Sequence, residues 1–135
     1  MDKKKLTEQD IRTKFITPAL ISAGWDIHTQ ILEEFSLTAG RIIVRGKLHT
    51  RAKPKRADYV LFYKPNIPIA IVEAKDNNHS VGDGMQQGLG YAELLQVPFV
   101  FSSNGDRFIF HNKIAPEGVL EKEISLDEFP SPQIL

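Results

Sequence analysis

Two neighbouring segments constrain the fold more than anything else in the sequence. Residues 59–63 (YVLFY) and 67–72 (IPIAIV) are apolar at nearly every position, and only Lys64, Pro65 and Asn66 part them. Strands that meet water on one face alternate polar with apolar residues, whereas strands apolar on both faces need cover above and below. The pair therefore predicts a central sheet with helices on each side, an α/β architecture.

The rest of the chain supplies the covering layers. Thr7 and Asp10 have the spacing of a capping box, and Ile11, Phe15, Leu20 and Ile21 recur behind them at helical intervals. A helix is expected over residues 7–23, with Pro18 either opening a second helical segment or kinking the first. Gly24 stops it before Trp25. Two strand-like stretches, ILEEFSL and RIIVRGKL, flank a turn at Gly40. Val81, Met85, Leu89 and Ala92 mark one face of a second helix over residues 80–96. Gly82, Gly84, Gly88 and Gly90 each weaken it by roughly 1 kcal/mol, unless they serve close backbone approach. PFVFSS and RFIFHN flank Asn104-Gly105, a strong hairpin signal. The expected order is helix, three or four strands, helix, two strands. After that the chain turns acidic and ends in DEFPSPQIL, which reads as a connection into a longer protein.

At 135 residues the chain fits one domain, 1–135. It has no cysteine, which excludes disulfides and Cys-ligated zinc or iron–sulfur sites. His28, His49, His79 and His111 lack metal-ligand spacing. GRIIVRGKL puts five residues between its glycines where a phosphate-binding loop needs four, with Leu48 where Ser or Thr would hold magnesium. GDGMQQG has its third glycine one place late for a dinucleotide fingerprint. ATP binding is therefore not expected of this chain. No apolar run approaches the ~20 residues of a membrane span. The start, MDKKKLTEQD, has no apolar stretch behind its basic residues. A cytoplasmic protein without membrane contact is expected.

Charge is segregated beneath a formal net charge of zero. Arg41, Arg45, Lys47, Arg51, Lys53, Lys55 and Arg56 follow one another with His49 among them and no acid between, while Glu117, Glu121, Glu123, Asp127 and Glu128 lie near the end. The basic run is either a surface for nucleic-acid phosphates or simply a solvated hairpin. Its position favours the first, because it leads straight to Asp58.

Asp58 opens the first apolar segment, and Glu73 and Lys75 close the second. If Pro65 and Asn66 centre a hairpin turn, opposed residue numbers sum to 131 and Asp58 faces Glu73. Directly opposed side chains have Cβ atoms about 4.5–5.5 Å apart, so the two carboxylates repel unless a proton or cation lies between them. Lys75, two positions beyond Glu73, projects to the same side. Carboxylates with a carbonyl, here that of Ala74, suit a hard divalent cation such as magnesium. An adjacent ammonium can orient water or stabilise developing negative charge. The pattern reads as metal-dependent phosphodiester hydrolysis. The competing reading is a cross-strand salt bridge, which does not require the apolar run Ile69–Val72 leading into it.

RADYVLFYKPNIPIAIVEAK resembles the PD-(D/E)-x-K nuclease motif, as Asp58 followed by Glu73-Ala74-Lys75, with Ala57 in place of the proline. More closely, the chain is similar to the N-terminal endonuclease domain of the restriction (R) subunit of type I restriction enzymes. LTEQDIRTKFITPALISAGW, GRIIVRGK, KRADYVLFY, PIAIVEAK, QGLGYAELLQVPFVFSSNGDRFIFHN and FPSP carry that likeness along nearly the whole chain. The resemblance implies a restriction-endonuclease-like fold with a mixed sheet, and Mg2+ held at Asp58 and Glu73. It also implies a Gln-x-x-x-Tyr motif, matched by Gln87 and Tyr91, which four apart share a helix face. Those two would contact DNA or support the catalytic strand; without the resemblance, a packed tyrosine and a solvated glutamine would suffice. Related nucleases take a further acid from the first helix, and Glu8 matches best, with Asp10 second; Glu8 could equally be a helix N-terminal acid that complements the dipole. The family further implies double-stranded DNA as substrate, little local sequence preference at the cut, modification and specificity subunits as partners, and an ATP-driven translocase following this region. Two alternatives stay open: a non-catalytic DNA-binding or docking module of the same fold, and a stand-alone repair nuclease.

Overall fold

The computed structural model describes residues 2–37, 55–114 and 121–135. Its centre is a mixed sheet of six strands in sequential order: β1 (Ile31–Leu37), β2 (Lys55–Lys64), β3 (Ile67–Ala74), β4 (Phe99–Ser103), β5 (Arg107–Asn112) and β6 (Glu121–Ser125). Neighbouring strands are antiparallel except β3 and β4, which run parallel. That one parallel pair needs a crossover, and α3 (Met85–Leu95) provides it. β2 and β3 are the two segments whose apolarity demanded cover on both faces.

The two faces carry separate cores. On one, Ile11, Ile16, Leu20 and Trp25 pack on Tyr59, Leu61, Val72 and Phe101. On the other, Met85, Tyr91 and Ala92 of α3 pack on Val60, Ile71 and Val100. The first helix is helical throughout Glu8–Ser22 but in pieces: α1 (Glu8–Ile11), a wider π-helical turn (Arg12–Ile16) and α2 (Thr17–Ser22). Its capping box is formed, with the Asp10 N–H donating to Thr7 Oγ1 at 3.0 Å and the Thr7 N–H to Asp10 Oδ2 at 3.1 Å. Pro18 opens the second segment, where a missing N–H costs little.

Several expectations need adjusting. The second helix starts at Met85 rather than at residue 80, because Gly84 caps it and the preceding residues form turns. The acidic stretch near the end is more than a connection: Glu121–Ser125 forms edge strand β6, and Phe129 behind it is buried among Phe101 and Phe108. Its EKEIS sequence hid it, since charged residues are what protect an exposed sheet edge. RIIVRGKL and the turn at Gly40 lie outside the described residues.

Gly84 and Gly88 sit where α3 meets the sheet. A Cβ at Gly88 would stand 2.7 Å from Val100 Cγ1 and 3.3 Å from Glu73 Cγ, whereas one at Gly90 would meet nothing within 4 Å. Two substitutions in one helix should therefore move stability in opposite directions. Gly90→Ala is expected to stabilise by up to ~1 kcal/mol. Gly88→Ala should destabilise by about 1 kcal/mol net, overpacking outweighing the gain in helix propensity. Urea unfolding of both variants checks this.

Candidate active site

The hairpin register places the acids together. Tyr59 pairs with Val72, Val60 with Ile71 and Leu61 with Ala70, each summing to 131. The turn at Pro65-Asn66 is tight, Lys64 pairing with Ile67 and Asn66 taking φ 65°. Asp58 and Glu73 lie just past the last paired residues, joined through side chains instead. The Asp58 N–H donates to Glu73 Oε2 at 2.9 Å, and the Ala74 N–H donates to Asp58 Oδ2 at 2.8 Å. The other oxygen of each carboxylate accepts no hydrogen bond from the described residues and is left for another partner.

Glu73 is only 2% exposed, lying over the α3 face where Gly84 and Gly88 make room for it. Burial, with the Asp58 carboxylate second, pushes its carboxyl up to about 8. Burial also raises Asp58, opposed by the Ala74 N–H and by the charges of Arg12 and Lys75. Glu8, at the exposed start of α1, has its carboxyl raised by partial burial and then by Asp58. It is thus close enough to feel the pair. Still, among the described residues no three His, Cys, Asp or Glu side chains form a ready-made metal cage. Asp10 is spent on the helix cap.

Lys75 follows β3 directly, its N–H bonded to the Ser103 carbonyl at 2.9 Å. It makes no salt bridge with Asp58 or Glu73; the ion pairs among the described residues lie elsewhere. Its charge reaches Asp58, Glu73 and Glu8 through space and lowers all three. The cross-strand salt bridge is therefore not what these residues form. Gln87 and Tyr91 meet as their spacing requires, Gln87 Nε2 donating to the Tyr91 hydroxyl at 2.9 Å. The Tyr91 ring is core, and burial, then the Glu73 charge, raises its hydroxyl. Of the basic run, Lys55 and Arg56 stand exposed at the start of β2; Arg41, Arg45, Lys47, Arg51 and Lys53 lie outside the described residues.

Apart from Ser103, whose hydroxyl donates to the Arg107 carbonyl at 2.7 Å, four buried polar residues had no site role in the sequence reading. Ser102, opposite Glu73 on β4, accepts from the Gly84 N–H at 3.1 Å and donates to the Val81 carbonyl at 2.7 Å. Asn77 donates to the Asn104 carbonyl at 2.9 Å and Asn104 to that of His79 at 2.7 Å, fixing the connection behind Lys75. Arg12 is the fourth; an arginine between Ile11 and Phe15 reads as helix surface until its partners Glu33 and Glu34 are known.

The Glu73 shift has a measurable consequence. A carboxyl whose folded value lies above its ordinary 4.5 is more protonated in the folded than in the unfolded chain, so the folded state loses stability as pH rises between those values. Without divalent cations, the melting temperature is expected to fall from pH 5 to pH 8, and Glu73→Gln should flatten that slope. Calorimetry across the range checks both.

The family model described as Type I restriction enzyme R protein N terminus matches residues 26–130. The chain belongs to this family. It is 58% identical over 128 residues to the type I restriction enzyme EcoAI endonuclease subunit of Escherichia coli, covering 94% of this chain and 16% of that protein. It also matches the solved structure of a fragment assigned as an HsdR subunit of a type I restriction enzyme from Vibrio vulnificus. There the TM-score is 0.79 and the identity 38%, over 96% of this chain and 24% of that one. Family and fold agree with the R-subunit resemblance. The chain spans less than a quarter of the length of either relative. Among the described residues no helix is long and apolar enough to cross a membrane.

Proposed function

We propose that this chain is the Mg2+-dependent endonuclease region of a type I restriction enzyme R subunit, hydrolysing phosphodiester bonds of double-stranded DNA. The observation that carries the reading is the Asp58–Glu73 pair, Glu73 buried and Asp58 half-buried, with both carboxyls within reach of the Lys75 charge, which among the described residues has no salt-bridge partner. Two carboxylates this close, one of them buried, need a proton or a cation between them. Carboxylate and carbonyl oxygens fit a hard divalent ion. Asp58, Glu73 and the Ala74 carbonyl would hold it, with Glu8 as a further ligand. When bound, such an ion supplies Lewis-acid polarisation of the phosphate and lowers the pKa of water. The chain's own residues do the rest. Lys75 orients the attacking water and offsets negative charge building on the phosphate. Tyr91, set by Gln87, supports β3 beneath Glu73, and the basic run ending at Lys55 and Arg56 neutralises DNA phosphates. Such contacts carry no sequence information, so the cut itself would have little local preference. Recognition would then come from modification and specificity subunits, and delivery of DNA from an ATP-driven motor elsewhere in the R subunit, as the family resemblance implies.

A manganese-soaked crystal of the chain tests the site. An anomalous peak bridging Asp58, Glu73 and the Ala74 carbonyl is expected. Well-separated carboxylates with no peak would instead favour a docking module without hydrolysis.

A further inference from the structure

Asp58 is released from both of its strand ladders. β1 pairs with β2 at Glu33–Tyr59 and resumes at Phe35–Ala57, leaving Glu34 and Asp58 unpaired, and the β2–β3 pairing stops at Tyr59–Val72. Side chains hold the Asp58 backbone instead: Glu73 takes its N–H, and Arg12 Nη2 approaches its carbonyl at 3.4 Å. That last contact is long, and the stronger grip is indirect. Arg12 donates to Glu33 Oε1 at 2.7 Å and to Glu34 Oε2 at 2.5 Å, closing over the irregularity in β1 opposite Asp58. Glu34 there has φ 52°, a left-handed backbone that a glutamate adopts only at a cost. The guanidinium also lies 5.1 Å from the centre of the Tyr59 ring, next along the strand from Asp58.

We infer that Arg12 is a positioning residue for the proposed metal site, fixing the β1 irregularity and through it the Asp58 peptide, so that the Asp58 carboxylate stays against Ala74 and Glu73. The inference rests on the nuclease reading for its purpose and on the contacts for its existence. Stability alone does not account for Arg12. It is 3% exposed, and its buried Nε has no partner among the described residues. A buried charge so incompletely satisfied is commonly matched or bettered by an apolar residue of similar size. What an apolar residue lacks is the fork that spans two carboxylates and a carbonyl, and lysine lacks it too.

The test uses Arg12→Lys, with Glu34→Gln, a half-exposed position, as the second variant should the first not fold. In folded, metal-free protein, amide exchange at Asp58 and Ala74 is expected to rise about tenfold or more while Ile71 and Val100 keep their protection. Mn2+ titration followed by electron paramagnetic resonance should show about 10–100-fold weaker binding in the variants, as when a supporting partner of a metal ligand is lost. Unchanged exchange at Asp58 and Ala74 overturns the inference, as does unchanged Mn2+ affinity. Failure of the wild-type chain to bind Mn2+ would strike the metal reading instead, and the exchange result would still decide the positioning role.

Discussion

Glu73→Ala is expected to abolish DNA cleavage by the assembled restriction complex while folding and ATP hydrolysis continue. The side chain sits 2% exposed against Asp58, with its carboxyl held up at about 8 by burial and by that neighbour. Its removal takes away half of the paired charge that a cation would balance. Loss of a strong electrostatic group from a reaction centre costs about 10²–10³-fold or more in rate. The fold should lose little. The Asp58 N–H is left without its acceptor, which costs about 1–3 kcal/mol, but the repulsion between the two carboxylates disappears as well. Glu73→Gln refines the test, since its amide oxygen can still accept from Asp58 while the charge is gone. Plasmid cleavage and ATPase assays on the same preparation read both effects. Wild-type cutting by either variant would sink the site assignment.

Phe101→Ala should do the reverse and strike the fold. Phe101 is fully buried in β4, stacked on Phe110 with centroids 4.6 Å apart, and packed on Phe129 at 4.3 Å and Phe108 at 6.1 Å. Phe108 and Phe110 are held in β5 and cannot collapse into the space without leaving their strand. Truncating such a phenylalanine costs about 3–5 kcal/mol, a large share of the roughly 5–15 kcal/mol that holds a domain folded. Circular dichroism should show a melting point lower by roughly 10–20 °C. Phe129 lies in the segment after β6, so limited proteolysis should cut that segment first. A melting point within a few degrees of wild type would contradict the aromatic packing.

Much of this arrangement was legible in the sequence because it rests on period and sign. Apolarity on both faces of residues 59–63 and 67–72 announced a covered sheet, and Asn104-Gly105 announced the hairpin between β4 and β5. A turn centred on Pro65-Asn66 was enough to bring Asp58 beside Glu73, just past the last ladder pair, since hairpin pairing is arithmetic once the turn is known. What stayed hidden depends on contacts between distant residues. β6 carries one core residue, Ile124, among charges, and no pattern distinguishes that from a loop. Arg12 meets Glu33 and Glu34 only because the irregular first helix crosses β1, a fact of tertiary packing that spacing does not encode. Glu8 was weighed evenly between helix dipole and site; its carboxyl is raised first by burial and then by the Asp58 charge, yet among the described residues it forms no three-acid group with the pair.

The slip near the hairpin tip has a consequence for how relatives of this chain can differ in length. Phe62 pairs with Pro68, out of step by one, and the pairing returns to its earlier count at Lys64–Ile67. An irregularity already spent at the tip gives that end of the hairpin slack. Residues gained or lost there can be absorbed before the ladder reaches Leu61. Between Leu61 and Asp58 there is no such reserve, and one added residue would turn the aspartate to the opposite face. Insertions should therefore be tolerated at the tip of this hairpin and excluded from its other end.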